Sequence, residues 1–107
     1  MAIEEKKVEN EYRYRITPEI DYEIDYDNKA VDFEIELPGV DKKDIELKIL
    51  PDEVHVKATR GNIEYHGDVE LGFDVTPERT TAKYSNGLLQ VRAFIKDVME
   101  EARTIEI

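Results

Sequence analysis

The sequence predicts an all-β protein, an antiparallel β-sandwich of about seven strands. Three observations carry that reading. Apolar residues recur at every second position, as where Val31, Phe33, Ile35 and Leu37 alternate with Asp32, Glu34 and Glu36. A period of two marks a half-buried strand, because successive side chains point to opposite faces. Turn residues interrupt the runs at short intervals, at Pro38-Gly39, Leu50-Pro51-Asp52, Arg60-Gly61-Asn62 and Asn86-Gly87. No stretch carries a convincing helical period.

Residues 1–17 read as a short N-terminal arm. Up to Glu11 it is polar, with Met1, Ile3 and Val8 as its larger apolar residues. Tyr12, Tyr14 and Ile16 then alternate with Arg13 and Arg15, which suits either a short edge strand or an adhesive segment of the arm. Pro18 opens the sandwich domain, residues 18–96. Ile20, Tyr22, Ile24 and Tyr26 alternate with Asp21, Glu23, Asp25 and Asp27, a strand with one acidic face, and Asp27-Asn28 is a turn.

The run from Ala30 to Leu37 ends at Pro38-Gly39, because proline has no N–H for a ladder. After the polar loop Asp41–Asp44, Ile45, Leu47 and Ile49 form the next apolar face. Val54, Val56 and Ala58 form another, and Arg60-Gly61-Asn62 turns the chain back. Ile63, Tyr65, Val69 and Leu71 then share one side, with Gly67 a candidate bulge and Gly72 a bend. Thr76–Arg79 reads as a loop and Thr80–Tyr84 as a short strand. Ser85-Asn86-Gly87 leads into the last strand, with Leu89, Val91, Ala93 and Ile95 inside. Residues 97–107 are a C-terminal extension, polar until Ile105-Glu106-Ile107.

The chain's 107 residues suit one domain, and the absence of cysteine removes disulfides, thiolate nucleophiles and cysteine-ligated zinc. That absence fits a cytoplasmic protein. Fifteen Lys+Arg against 26 Asp+Glu give a net charge of −11, which repels phosphate backbones and anionic lipid. Neither a nucleic-acid nor a membrane partner is expected, since no apolar run approaches the ~20 residues of a membrane span. The first residues lack the apolar core of a signal peptide. Many charges with few Asn, Gln and Met suit a heat-adapted composition.

No cofactor, metal or catalytic site is expected. His55 and His66 fall on polar strand faces and read as solvated. Ser85 lies in a turn without a nucleophile-elbow pattern. The Asp21, Glu23, Asp25 and Asp27 face lacks calcium-loop spacing.

Three segments carry a family resemblance. Leu37-Pro38-Gly39-Val40 followed by Asp44-Ile45 resembles the L-P-G-V-x-x-x-D-I segment of the small heat-shock proteins, the α-crystallin or Hsp20 domain. Ala82 to Leu89 resembles that family's A-x-x-x-x-G-x-L, matched at Gly87 and Leu89, and Ile105-Glu106-Ile107 its I-x-I tail. The resemblance implies an immunoglobulin-like sandwich and an ATP-independent holdase that self-associates weakly and binds unfolded client proteins. It implies that Ile105 and Ile107 dock in a neighbour's groove, lined here by Ile45, Leu47, Ile49, Ala82 and Tyr84, with Tyr12, Tyr14 and Ile16 contacting clients. Packing of both isoleucines on their own domain is the alternative.

The chain departs from the family in its short arm and in Thr59–Ile63, where a tight turn replaces a long strand-exchanging loop. A dimer, if formed, is therefore expected to exchange no strand there; a monomer, or pairing along the Ile63–Leu71 edge, is expected instead. The same departures suit a rival, a compact Hsp20-like or CS-like adaptor module with weak general chaperone activity.

Overall fold

The computed structural model describes residues 14–107. Eight strands form two four-stranded sheets: β1 (Tyr14–Ile16), β2 (Ile20–Asp25), β3 (Ala30–Glu36), β4 (Ile45–Leu50), β5 (Glu53–Arg60), β6 (Ile63–Glu70), β7 (Val75–Ser85) and β8 (Leu88–Ile95). The sheet orders are β1-β6-β5-β4 and β2-β3-β8-β7. The all-β sandwich is the architecture the alternation predicts. The eighth strand is β1, so Tyr14–Ile16 is an edge strand.

Between the sheets lies the core, where Val31, Phe33, Ile35 and Leu37 meet Val54, Val56, Ala58 and Tyr65, closed by Val75, Leu89, Val91 and Ala93. Register puts like with like. Phe33 faces Val91, Ile35 faces Leu89, Leu47 faces Val56 and Ile49 faces Val54. Such cross-strand apolar pairs are what stabilises a sheet.

Four local features differ from the sequence reading. The β1–β6 pairing is parallel, with Tyr14 opposite Ile63 and Ile16 opposite Tyr65, whereas every other pair is antiparallel. Gly67 is not a bulge; it sits in register opposite Val56. A Cβ there would lie 2.9 Å from Ile20 Cδ1 and 3.3 Å from Pro18 Cδ, so the glycine lets the chain cross closely from β1 to β2. Thr76–Arg79 is not a loop between strands but the irregular middle of β7. Thr76 pairs with Phe94 and Thr81 with Arg92, so four residues of β7 oppose Ala93 alone. Pro77, which has no N–H to give a ladder, falls in this bulge. Finally, β2 stops at Asp25, and Tyr26 joins the turn, where Asp25 accepts from the Asn28 backbone at 3.2 Å and from its side chain at 2.8 Å.

Candidate functional site

Among the described residues, two edges of the sandwich are unpaired on the same side. β4 ends one sheet, β7 ends the other, and the two strands approach each other. Ile45, Leu47 and Ile49 pair with the buried Ala58, Val56 and Val54, so they occupy the inward positions of β4. Ala82 and Tyr84 pair with the buried Val91 and Leu89, so they occupy the inward positions of β7. All five therefore lie on the inner faces of the two edge strands, and Ile45, Leu47, Ile49 and Tyr84 pack against the core. Ile45, Leu47, Ile49 and Tyr84 are half-buried and Ala82 is exposed. Apolar side chains at an edge, beside unpaired backbone donors and acceptors, make a template for an added extended segment.

Local polar contacts fix the floor of this side. The Tyr84 hydroxyl lies 2.7 Å from the Leu37 carbonyl and 2.8 Å from the Val40 carbonyl and donates to that pair. It thereby ties β7 to the loop before β4. Two motif segments also meet here. The Leu37 N–H donates to the Gly87 carbonyl at 2.8 Å, and a Cβ on Gly87 would lie 3.3 Å from Pro38 Cα. With φ +53 at Asn86 and φ +82 at Gly87, this turn is of the I′ type that closes a two-residue hairpin. Leu37 and Leu89 are buried, whereas Pro38 and Gly39 are at the surface. These residues thus shape the edge.

Ile105 and Ile107 are 74% and 121% exposed, so neither packs on its own domain. The short 3₁₀ turn Val98–Glu101 precedes them, and Asp97 caps it by accepting from the Met99 N–H at 2.9 Å. Across the sandwich, Tyr14 and Ile16 are 55% and 41% exposed; Tyr12 lies outside the described residues.

The histidines are not simply solvated. On the outer face of β5, His55 Nε2 lies 2.8 Å from Glu53 Oε1, and its Nδ1 contacts Asp68. When protonated, the ring can donate to a carboxylate at each nitrogen. Glu53 first, and then Asp68, push its pKa up against the opposing effect of burial. His66 is exposed, with Nε2 3.6 Å from Asp68. On the other sheet, Arg92 grips Asp32 bidentately at 2.7 and 2.8 Å and reaches Asp25 at 3.0 Å. Arg92 holds the Asp32 carboxyl below its ordinary pKa, and Asn28, followed by Arg92, does so for Asp25. Among the described residues, no group of three or more His, Cys, Asp or Glu could hold a metal ion, and no helix is long and apolar enough to cross a membrane. Ser85, the predicted turn former, pairs with Leu88 at the end of the β7–β8 hairpin.

The sequence matches no protein-family model and no curated protein. The fold does have relatives among solved structures, and their class is the small heat-shock protein. Heat shock protein 16.0 from Schizosaccharomyces pombe superposes with a TM-score of 0.70 at 21% identity, over 87% of this chain and 76% of that one. A small heat-shock protein from Xylella fastidiosa gives 0.67 at 19% identity, over 85% of this chain and 95% of that one. The Del-C4 mutant of hsp14.1 from Sulfolobus gives 0.66 at 22% identity, over 75% of this chain and 76% of that one. The chain thus has the small heat-shock protein β-sandwich, the fold its motifs imply.

Proposed function

We propose that this chain is a small heat-shock-type holdase, which binds partly unfolded proteins without ATP and keeps them from aggregating. The observation that supports the reading is an exposed Ile105/Ile107 tail on a chain whose β4 and β7 edges carry the half-buried Ile45, Leu47, Ile49 and Tyr84. The tail of one copy would dock on the β4/β7 side of another. Domain limits follow the same reading: an arm of residues 1–17, a sandwich of 18–96 and an extension of 97–107. Tyr12, Tyr14 and Ile16 would contact clients. The partners are unfolded proteins and other copies of the chain, with neither nucleic acid nor membrane, in the cytoplasm, and no reaction is catalysed.

Magnitudes make this assembly reversible. Burying two isoleucines contributes roughly 3–6 kcal/mol. Association in solution costs an estimated 4–15 kcal/mol. One tail is marginal, and several acting together hold an oligomer.

A second reading is favoured by the hairpin at Gly61–Asn62. Arg60 pairs with Ile63, so only two residues join β5 to β6. No long loop is available for strand exchange, which suits a compact adaptor module. Light scattering from an aggregation-prone protein heated with and without this one separates the two. Suppression at near-stoichiometric amounts supports the holdase; unchanged scattering rejects it in favour of the adaptor.

A further inference from the structure

On the side opposite β4 and β7, β1 covers only the first part of the β6 edge, over Ile63–Tyr65, and among the described residues the rest of that edge is unpaired in the sheet. The contact is small. It runs over three parallel pairs, with Tyr14 N–H donating to the Asn62 carbonyl at 3.2 Å. Parallel pairing is slightly less stable per residue than antiparallel, and a strand this short pairs weakly.

What the strand covers is specific. Glu64 lies on the outer face of β6 yet is only 7% exposed. Its carboxylate is held by Arg15 at 3.2 Å and Lys57 at 3.5 Å. Lys57 belongs to the neighbouring strand β5 and is always present, whereas Arg15 arrives with β1. A largely buried carboxylate that loses one of its two cations is strongly disfavoured. The edge therefore selects a cation at its central position. The flanking positions, those of Tyr14 and Ile16, are apolar but half open, so they accept apolar side chains of varied size. The sequence itself repeats the pattern two residues earlier, as Tyr12-Arg13-Tyr14.

We propose that the β6 edge is a docking site for extended, unfolded segments of other proteins in which Arg or Lys lies between two apolar residues, and that β1 is the built-in competitor that occupies it until displaced. The net charge of −11 draws such basic segments toward the chain. The proposal goes beyond the holdase reading and stands apart from the tail groove, because the two sites lie at opposite edges of the sandwich.

The test uses the full-length chain and a fluorescent peptide containing Tyr-Arg-Ile, read by anisotropy. Arg15→Glu sets like charges against each other and frees the edge. An occluded site binds with an affinity reduced by its open fraction, so this variant should bind the peptide about tenfold or more tighter than the wild type. The same peptide with Glu in place of Arg should not bind. Glu64→Gln should abolish the discrimination between the two peptides. Arg15 is largely exposed, so its loss leaves the core intact; Arg15→Ala with a thermal melt serves as the folding control. Equal binding by wild type and both Arg15 variants, or equal binding of the Arg and Glu peptides, would overturn the proposal. So would a concentration-dependent dimer of the wild type that Arg15→Glu abolishes, which would assign the edge to the β1 of a second copy. Light scattering enters none of these measurements, so failure here is distinct from failure of the holdase reading.

Discussion

The hydroxyl of Tyr84 donates to the carbonyl of Leu37 across 2.7 Å, joining residues 47 positions apart in the sequence. Leu37 is fully buried, and the next carbonyl of this loop within the hydroxyl's reach is that of Val40. Tyr84→Phe keeps the ring and removes the hydroxyl donor from both carbonyls, leaving that of Leu37 with the Val40 N–H at 3.4 Å. Leaving a part-buried acceptor unsatisfied costs about 1–3 kcal/mol. For a domain of this size that lowers the thermal midpoint by about 4–8 °C per kcal/mol. Calorimetry of the variant checks this; an unchanged midpoint would show that water replaces the hydroxyl.

The Arg92–Asp32 pair sets an acid limit. Because Asp32 titrates below its ordinary value, its contribution is present above the unfolded pKa, about 3.9, and is lost as pH falls through the folded value. Asp32→Asn should therefore melt below the wild type by a constant gap near neutrality. That gap should close below about pH 4. Melting curves taken down the pH scale test it, and a gap still open in strong acid would contradict the assignment.

For His55 the sign reverses. Its pKa is raised by Glu53 and Asp68, so its contribution is complete below the unfolded value, about 6.5, and disappears as pH rises through the folded one. The wild type should lose stability relative to His55→Gln above about pH 6.5. Identical pH profiles for the two proteins would rule the cluster out as a source of pH dependence. The ring is about one-third exposed, so raising the salt concentration should shrink the difference.

Replacing both Ile105 and Ile107 by Ala should reduce assembly without unfolding the sandwich, because both side chains are exposed in the single chain. Most of the roughly 3–6 kcal/mol of burial in the docked state would go. Light-scattering size should fall, while the thermal midpoint extrapolated to low concentration should barely move. Ile45→Asp or Ala82→Asp should mimic the loss. A double variant that keeps its size but melts many degrees lower would mean that the tail stabilises its own domain instead.

Much of the sandwich was legible because alternation is a local signal. Val31 through Leu37 announces its inward face residue by residue, and Asn86-Gly87 announces its turn. The inward positions of Ile45, Leu47, Ile49, Ala82 and Tyr84 on their strands follow the same parity, whereas their reading as a groove came from the motif resemblance. That β4 and β7 are neighbouring edge strands is a matter of sheet order, which alternation does not encode. Other features depend on partners distant in sequence. Nothing in Tyr14-Arg15-Ile16 states that it will pair in parallel with β6 and cover part of the edge expected to be open. Glu64 falls on the polar parity of its strand, yet Arg15 and Lys57 close over it. His55 reads as solvated for the same reason, and its two carboxylate partners appear only when Glu53 and Asp68 are brought to either side. Gly67 reads as a bulge because a close crossing by Pro18 and Ile20 leaves no mark on its own neighbours.

The two sheets also differ in how far apart their strands lie along the chain. β4, β5 and β6 follow one another without interruption from Ile45 to Glu70, each joined to the next by a short turn. The other sheet has at its centre the pairing of β3 with β8, where Ala30 meets Phe94. Loop closure over such a separation is slow compared with hairpin formation. The meander should therefore gain protection first, with Val31, Phe33 and Ile35 left without their β8 partners until Ile95 has been synthesised. Pulsed hydrogen exchange during refolding would record that order as early protection of Val56 and Tyr65 and late protection of Phe33 and Val91; simultaneous protection would mean that both sheets form in one step.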